Sequence, residues 1–202
     1  MRIADKQVME LASTEVFLEP FSYFVSPQAL SPELSTELLN WLELDAPWKL
    51  VETDFYEQYE FSFFDIKLPS QLAFLTSPEY LSEVKNRVEN LFSVKLDARI
   101  DFNAHKLIPG QRIRIHNDYI PGCETHRLLI QLNRGWDDDN GGMLIFFNSQ
   151  NPSDIHKIFR PSHNSSVGFA ISPDSHHAVS TIHNSERYTV IFSFYQLYEQ
   201  AS

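Results

Sequence analysis

Arg187-Tyr188-Thr189-Val190-Ile191-Phe192-Ser193-Phe194-Tyr195-Gln196-Leu197 is the clearest strand in the sequence. Tyr188, Val190, Phe192 and Phe194 alternate with Thr189, Ile191, Ser193 and Tyr195, the period-two pattern that puts successive side chains on opposite faces. Working back from it, further strand candidates are Arg99 to Ile108, Gln111 to His116, Arg127 to Asn133, Met143 to Phe147, Ile155 to Phe159, Ser166 to Ile171 and His177 to Val179. Pro109-Gly110, Pro121-Gly122 and Asn140-Gly141-Gly142 punctuate these runs. Many short strands with few helices among them predict a mostly β fold with flanking helices, built as a double-sheet jelly roll.

The first half is mixed. Phe17 to Val25 is aromatic-rich and contains Pro20, which suits an edge strand. Ser31-Pro32-Glu33 reads as an N-cap, a proline at the first helical position and an acid in the first turn. Leu34, Leu38, Trp41 and Leu42 then share one helical face, and Pro47 lies past its end. Phe55, Tyr59, Phe61 and Phe63 suggest a strand, with an aromatic-covered helix as the alternative. Ser77-Pro78-Glu79 repeats the start signal, and Leu81, Val84, Val88, Leu91 and Phe92 form a second apolar stripe ending near Ser93. Both stripes predict packing against a sheet. At 202 residues the expectation is one domain over 1–202, with a mixed part to about residue 97 and a β core over about 98–198.

Composition narrows the chemistry. The net charge of −11 argues against a nucleic-acid binder, which would show a basic face. No segment reaches the roughly 18 apolar residues of a membrane span. Met1 to Glu10 is followed by no apolar stretch of the kind a signal peptide needs, so the expected location is cytoplasmic. Cys123 is the single cysteine, so a metal site within this chain must use histidine and carboxylate. Asp137-Asp138-Asp139 reads as a solvated acidic loop.

Ile115-His116-Asn117-Asp118 is the segment that bears most on function. In a strand, His116 and Asp118 would point to one side. The triplet alone is weak, but His177 follows in Ser175-His176-His177-Ala178-Val179, just before the final strand. Two imidazoles and one carboxylate on one face of a metal leave three positions open, the arrangement of non-haem Fe(II) sites. Arg187 and Thr189 share a face of the last strand. An inward guanidinium needs an anion such as a ligand carboxylate; the alternative for Arg187 is a pairing with Glu186 or solvent at the strand mouth.

Taken together these motifs resemble the Fe(II)/2-oxoglutarate dioxygenases, in their prolyl-hydroxylase-like branch. The resemblance runs from Leu107-Ile108-Pro109-Gly110 through His116-Asn117-Asp118, Leu132-Asn133-Arg134-Gly135-Trp136 and Gly141-Gly142-Met143-Leu144. It continues through Arg160-Pro161 and Phe169 to His177-Ala178-Val179 and Glu186-Arg187-Tyr188-Thr189. It implies a double-stranded β-helix, with Fe(II) held by His116, Asp118 and His177 as the catalytic centre. It implies 2-oxoglutarate and O2 as cosubstrates, with ascorbate as a possible reductant. Arg187 would pair with the far carboxylate of 2-oxoglutarate, helped by Thr189. The family usually has a tyrosine where this chain has Ile108 and another where it has Gln131. Gln131 keeps an N–H donor. Ile108 does not, which leaves Asn103 or Lys106 as substitutes. The spacing to Arg187 selects His177 over His176 as third ligand, and His176 then faces away. His105, His126, His156, His163 and His183 read as surface or satisfied core residues.

The resemblance implies hydroxylation of an amino-acid side chain. A weaker likeness to bacterial oxygenases that tailor cyclophane peptides points to a peptide or protein substrate. A free amino acid or small molecule is the enzyme alternative, and a cupin-like, non-catalytic metal-binding or sensor protein is the other. Candidate substrate contacts are Tyr119, Glu124, Arg114 and Arg127. Tyr119 either flanks the substrate or packs at a strand end. Arg114 is expected on the face of His116, meeting either an acidic substrate group or a nearby carboxylate. Oligomeric state is not legible.

Overall fold

The structure is a computed structural model that describes residues 9–53 and 56–197. Phe55, Tyr198 and the stretch Met1 to Val8, which enter the sequence expectations, lie outside those residues. The first half holds β1 (Met9–Ala12), β2 (Glu15–Phe17), β3 (Tyr23–Ser26), β4 (Gln28–Leu30), α1 (Pro32–Leu44), β5 (Lys49–Glu52), β6 (Glu57–Ser62) and α2 (Pro78–Phe92). The second half holds β7 (Leu96–Leu107), β8 (Ile113–His116), β9 (His126–Gln131), β10 (Leu144–Phe147), β11 (Ile155–Phe159), β12 (Ser166–Ala170), β13 (His177–Val179) and β14 (Arg187–Gln196).

The strands after residue 95 are divided between two facing sheets and switch sheet at every step except β10 to β11. β7, β9, β12 and β14 lie in an eight-stranded sheet of order β2-β3-β12-β9-β14-β7-β6-β5, while β8, β10, β11 and β13 form a four-stranded sheet of order β11-β10-β13-β8. This interleaving is the jelly roll expected from the strand count. The pairs within it are antiparallel.

Two apolar clusters hold the layers together. One lies between the large sheet and the helices. Leu34, Leu38, Leu39 and Leu42 of α1 and Tyr80, Val84 and Val88 of α2 pack there against Val190, Phe192 and Phe194. Phe63, Phe102 and Phe192 stack in series, with ring centroids 3.9 and 4.2 Å apart. The other lies between the sheets, around Leu129, Phe146, Phe169, Val179 and Ile191. Residues 187–194 of β14 are therefore buried on both faces. Both helices begin as the sequence predicts: Ser31 and Ser77 accept hydrogen bonds from the Leu34 and Tyr80 N–H groups. Ser93 ends α2 in the left-handed conformation, φ 56°.

The Phe17 to Val25 segment corrects the expectation of one edge strand. It forms the end of β2 and most of β3, and Pro20 lies in the connection between them. β5 has no strong signal in the sequence, and three of its four residues are exposed.

Candidate active site

β13 lies beside β8, and His177 is directly opposite His116. The strand ends are tied together by the Ser175 hydroxyl, which donates to the Asn117 carbonyl at 2.9 Å, and by the Asn117 amide, which donates to the Pro173 carbonyl at 2.9 Å. Asp118 is not presented by strand alternation, because β8 ends at His116. Asp118 instead takes a left-handed backbone, φ 56°, and the Asn117 side chain accepts the Tyr119 N–H at 3.1 Å. An Asx turn thus folds the carboxylate back over the imidazoles.

One ligand atom from each of His116, Asp118 and His177 lies within 4.8 Å of the others. His116 Nε2 is 3.3 Å from Asp118 Oδ1, and His177 Nε2 is 3.1 Å from Asp118 Oδ2. Each imidazole has its Nδ1 at 2.8 Å from the carbonyl two residues upstream, Arg114 for His116 and Ser175 for His177. A carbonyl only accepts, so each Nδ1 carries the proton and a neutral ring turns its Nε2 lone pair toward the carboxylate. Burial lowers the His177 pKa against the pull of Asp118, favouring that neutral form. Burial pushes the Asp118 carboxyl up, but the Arg127 guanidinium beside it outweighs that and holds it ionised. Three lone-pair donors thus converge on one point, which a divalent cation satisfies.

The same pocket, about 210 Å³, continues from the triad to Arg187, Thr189 and Ile191 on β14. Arg187 is buried, its Nε has no partner, and no acidic side chain among the described residues pairs with it. Glu186, the neighbour weighed against a ligand, instead accepts the Tyr188 hydroxyl and lies 3.5 Å from Lys106. Burial pulls the Arg187 guanidinium down to about 10, the signature of a desolvated cation without a counter-ion. Its seat comes from two sequence motifs. Asn133 accepts the Tyr188 N–H at 2.7 Å and donates to the Tyr188 carbonyl at 3.1 Å, fixing the backbone beside Arg187. A Cβ on Gly142, φ 66°, would lie 3.1 Å from Arg187 Cδ and 2.5 Å from Ile182 Cδ1.

Gln131 is buried beneath this pocket and accepts the Thr189 hydroxyl at 3.0 Å through Oε1. Arg114 is exposed and does not line the pocket. The β8–β13 register slips between Ile113 and His116, so Ile113 rather than Arg114 shares the face of His116. Arg127 lines the pocket but is already engaged, donating to Asp118 Oδ2 at 2.5 Å and to Glu124. Tyr119 and Ile120 stand exposed after the triad. Asn103 and Lys106, the substitutes for a tyrosine at Ile108, do not line the pocket.

His105 does line it, opposite Thr189, with Gln58 Nε2 3.2 Å from its Nδ1. Sequence reasoning missed His105 and Gln58. The signal for His105 was its place on the inward face of β7, two residues before Leu107. His176 is buried outside this pocket, and neither ring nitrogen has a partner among the described residues.

The family model described as the 2OG-Fe(II) oxygenase superfamily matches residues 102–195, the stretch that carries the triad and Arg187. Residues 102–195 are a match to the 2OG-Fe(II) oxygenases, and they contain all three residues of the His116, Asp118 and His177 cluster. Fe(II), 2-oxoglutarate and O2 are the cofactor and cosubstrates of this superfamily, and the donor set above fits the metal. Among solved structures the chain is similar to a Pseudomonas putida prolyl-4-hydroxylase, with TM-score 0.70 and 16% identity over 87% of this chain and 93% of that one. It is also similar to a Trichoplax adhaerens prolyl hydroxylase in complex with a hypoxia inducible factor oxygen degradation domain peptide fragment. There the TM-score is 0.67 and identity 14%, over 86% of this chain and 83% of that one. A viral collagen prolyl hydroxylase from Paramecium bursaria Chlorella virus-1, solved with 2OG, gives 0.61 and 15% over 87% and 96%. At these identities the likeness is one of fold. No helix among the described residues of the chain is long and apolar enough to cross a membrane.

Proposed function

We propose that this protein is an oxygenase that hydroxylates an amino-acid side chain within a peptide or protein, with ribosomally made peptides as the substrate class. The observation that carries the reading is Arg187: a buried cation without a counter-ion, in one pocket with a two-histidine, one-carboxylate cluster. A module that only binds metal, such as a cupin-like sensor, has no use for it. His116, Asp118 and His177 are the residues we assign to Fe(II). When bound, Fe(II) with 2-oxoglutarate and O2 supplies the oxidising chemistry, in which decarboxylation to succinate and CO2 is coupled to insertion of one oxygen atom into a C–H bond.

The protein's share is placement. Arg187 meets the distal carboxylate of 2-oxoglutarate through a charge-assisted pair in a water-poor pocket. Thr189 adds a hydroxyl. In the present geometry that hydroxyl donates to Gln131. Turning the Gln131 amide end for end makes it the donor and frees the Thr189 proton for the carboxylate. Leu129, Phe169, Val179 and Ile191 line the pocket with apolar surface. A peptide is favoured over a free amino acid by the exposed Tyr119 and Ile120 beside the triad, which offer apolar surface beyond the reacting residue. The peptide in the Trichoplax neighbour supports the same choice. We place the enzyme in the cytoplasm.

The test is incubation with Fe(II), 2-oxoglutarate, ascorbate and candidate peptides, followed by mass spectrometry. A peptide product carrying one added oxygen, with stoichiometric succinate, is expected. Turnover of free amino acids alone sinks the peptide reading. Failure of 2-oxoglutarate to raise the melting temperature under anaerobic Fe(II) sinks the assignment of Arg187.

A further inference from the structure

Arg127 joins three things that the sequence keeps apart. One terminal nitrogen donates to Asp118 Oδ2 at 2.5 Å, the other to Glu124, and its stem rises from β9 into the wall of the pocket. Asp118 and Glu124 are the two ends of the loop that carries Tyr119, Ile120 and Cys123. A single guanidinium therefore closes that loop and grips the carboxylate of the triad. Both acids have little exposed side chain, 15% for Asp118 and 19% for Glu124, so water screens the contacts weakly.

We propose that Arg127 is a positioning residue, which locks the Asp118 carboxylate so that a single oxygen is left for the metal, with Glu124 as the anchor that holds Arg127 in place. This rests on the assignment of His116, Asp118 and His177 to the metal. The argument is one of lone pairs and geometry. The Asp118 carboxylate can turn about its own bond, and a free carboxylate chelates a cation with either one oxygen or two. With Oδ2 committed to a charge-assisted bond, Oδ1 is the oxygen free to serve as a ligand. One-point ligation keeps a coordination position that two-point ligation would consume, and a site that must also take a bidentate cosubstrate and O2 needs that position. Arginine suits the task because its rigid fork spans two carboxylates at once; lysine offers one point of contact. The same engagement removes Arg127 and Glu124 from the set of free substrate contacts, the role the sequence suggests for them.

The test uses Mn(II) and Co(II) binding to the full-length protein, without substrate and without turnover. Arg127→Met is expected to raise the Mn(II) Kd by about 10–100-fold, the usual cost of losing a partner that orients a metal ligand. Arg127→Lys should recover part of that loss, and Glu124→Gln should cause a smaller one. The visible absorption of Co(II), which reports coordination number, should shift in Arg127→Met as the second Asp118 oxygen becomes free to bind. Arg134→Met, the same charge change at an exposed site, should leave both readouts alone. Wild-type affinity and an unshifted Co(II) spectrum in a folded Arg127→Met protein overturn the proposal. If Arg127→Met does not fold, the decision passes to Arg127→Lys and Glu124→Gln, and wild-type binding by both overturns it equally. Wild-type protein that binds no Mn(II), or binds it equally well as His177→Ala, overturns the metal assignment itself and the positioning role with it.

Discussion

Arg187 and Asp118 are the residues through which the two halves of the site separate experimentally. If Arg187 receives the distal carboxylate, 2-oxoglutarate at about 100 times its Kd adds about 2.7 kcal/mol to stability, roughly 5–10 °C in Tm for a chain of this size. Arg187→Ala should abolish that shift and leave Mn(II) binding intact. Asp118→Ala should do the reverse at source, weakening Mn(II) by more than the roughly 10–100-fold loss of a supporting partner. Anaerobic thermal melts and metal titration check both; a 2-oxoglutarate shift that survives Arg187→Ala removes the arginine from the reading. At this scale the sequence is uneven. The His-x-Asp triplet, His177 and the interval to Arg187 are legible because their order along the chain carries them. Arg127, Gln58 and His105 are not, since their meaning depends on neighbours that are remote in sequence: Gln58 reaches His105 across β6 and β7. Arg114 misleads for a different reason. One extra residue in β8 turns its side chain out, and nothing in Gln111 to His116 marks the slip.

Among the elements, the loop between β9 and β10 shows how a motif works at a distance. Gly141-Gly142 reads as turn punctuation in the sequence. In the fold the Trp136 indole donates to the Gly141 carbonyl at 2.9 Å, and Gly142 leaves room for the aliphatic part of Arg187. A Cβ at Gly142 would also lie 3.1 Å from Trp136 Cζ2. Gly142→Ala should therefore cost roughly 1–3 kcal/mol from overpacking, with about 1 kcal/mol more for a non-glycine residue at positive φ. It should also weaken 2-oxoglutarate more than Mn(II), because the arginine moves and the triad does not. Equal losses of both ligands in a folded variant would show that Gly142 supports the whole pocket rather than Arg187. The helix starts are a simpler case. Ser31 accepts the Leu34 N–H at 3.3 Å, so Ser31→Ala should lower stability by about 1 kcal/mol in urea unfolding, with no change in either ligand's Kd. An effect on 2-oxoglutarate affinity would contradict the separation of α1 from the site by the large sheet. The strands from β7 onward are legible because period-two runs end in Gly and Pro turns. β5 is not, because an exposed edge strand shows no alternation.

For the molecule as a whole, the jelly roll buries histidines that the sequence presents as ordinary ones, and this sets how stability responds to acid. Burial is the main cause at both His105 and His126, whose pKa values fall to about 3 and about 4 from the usual 6.5. His105 sits in the pocket, and His126 packs against Phe92 at 4.8 Å between ring centroids. Each is neutral in the folded state at any pH near 5, while the unfolded chain binds a proton at each below about 6.5. The unfolded state thus holds more protons, and stability falls as pH falls. The contribution of each is complete above pH 6.5. It declines by about 1.4 kcal/mol per pH unit once the unfolded chain is protonated, until the folded group titrates in turn. Together these two groups should account for a loss of up to about 2.7 kcal/mol per unit near pH 5 in the metal-free protein. The His126 share ends near pH 4, and the His105 share continues to about pH 3. Urea midpoints at pH 7.5 and 5.0 measure this, with the denaturant slope held as a check on two-state behaviour. His126→Gln should reduce the pH dependence by about one proton, since Gln has nothing to titrate. A midpoint that does not move between the two pH values would mean that both rings find protons in the folded state, which the apolar packing around His126 and the Arg127 and Arg187 charges acting on His105 oppose. The two arginines that add to burial in keeping His105 neutral are the one that grips Asp118 and the one that awaits an anion.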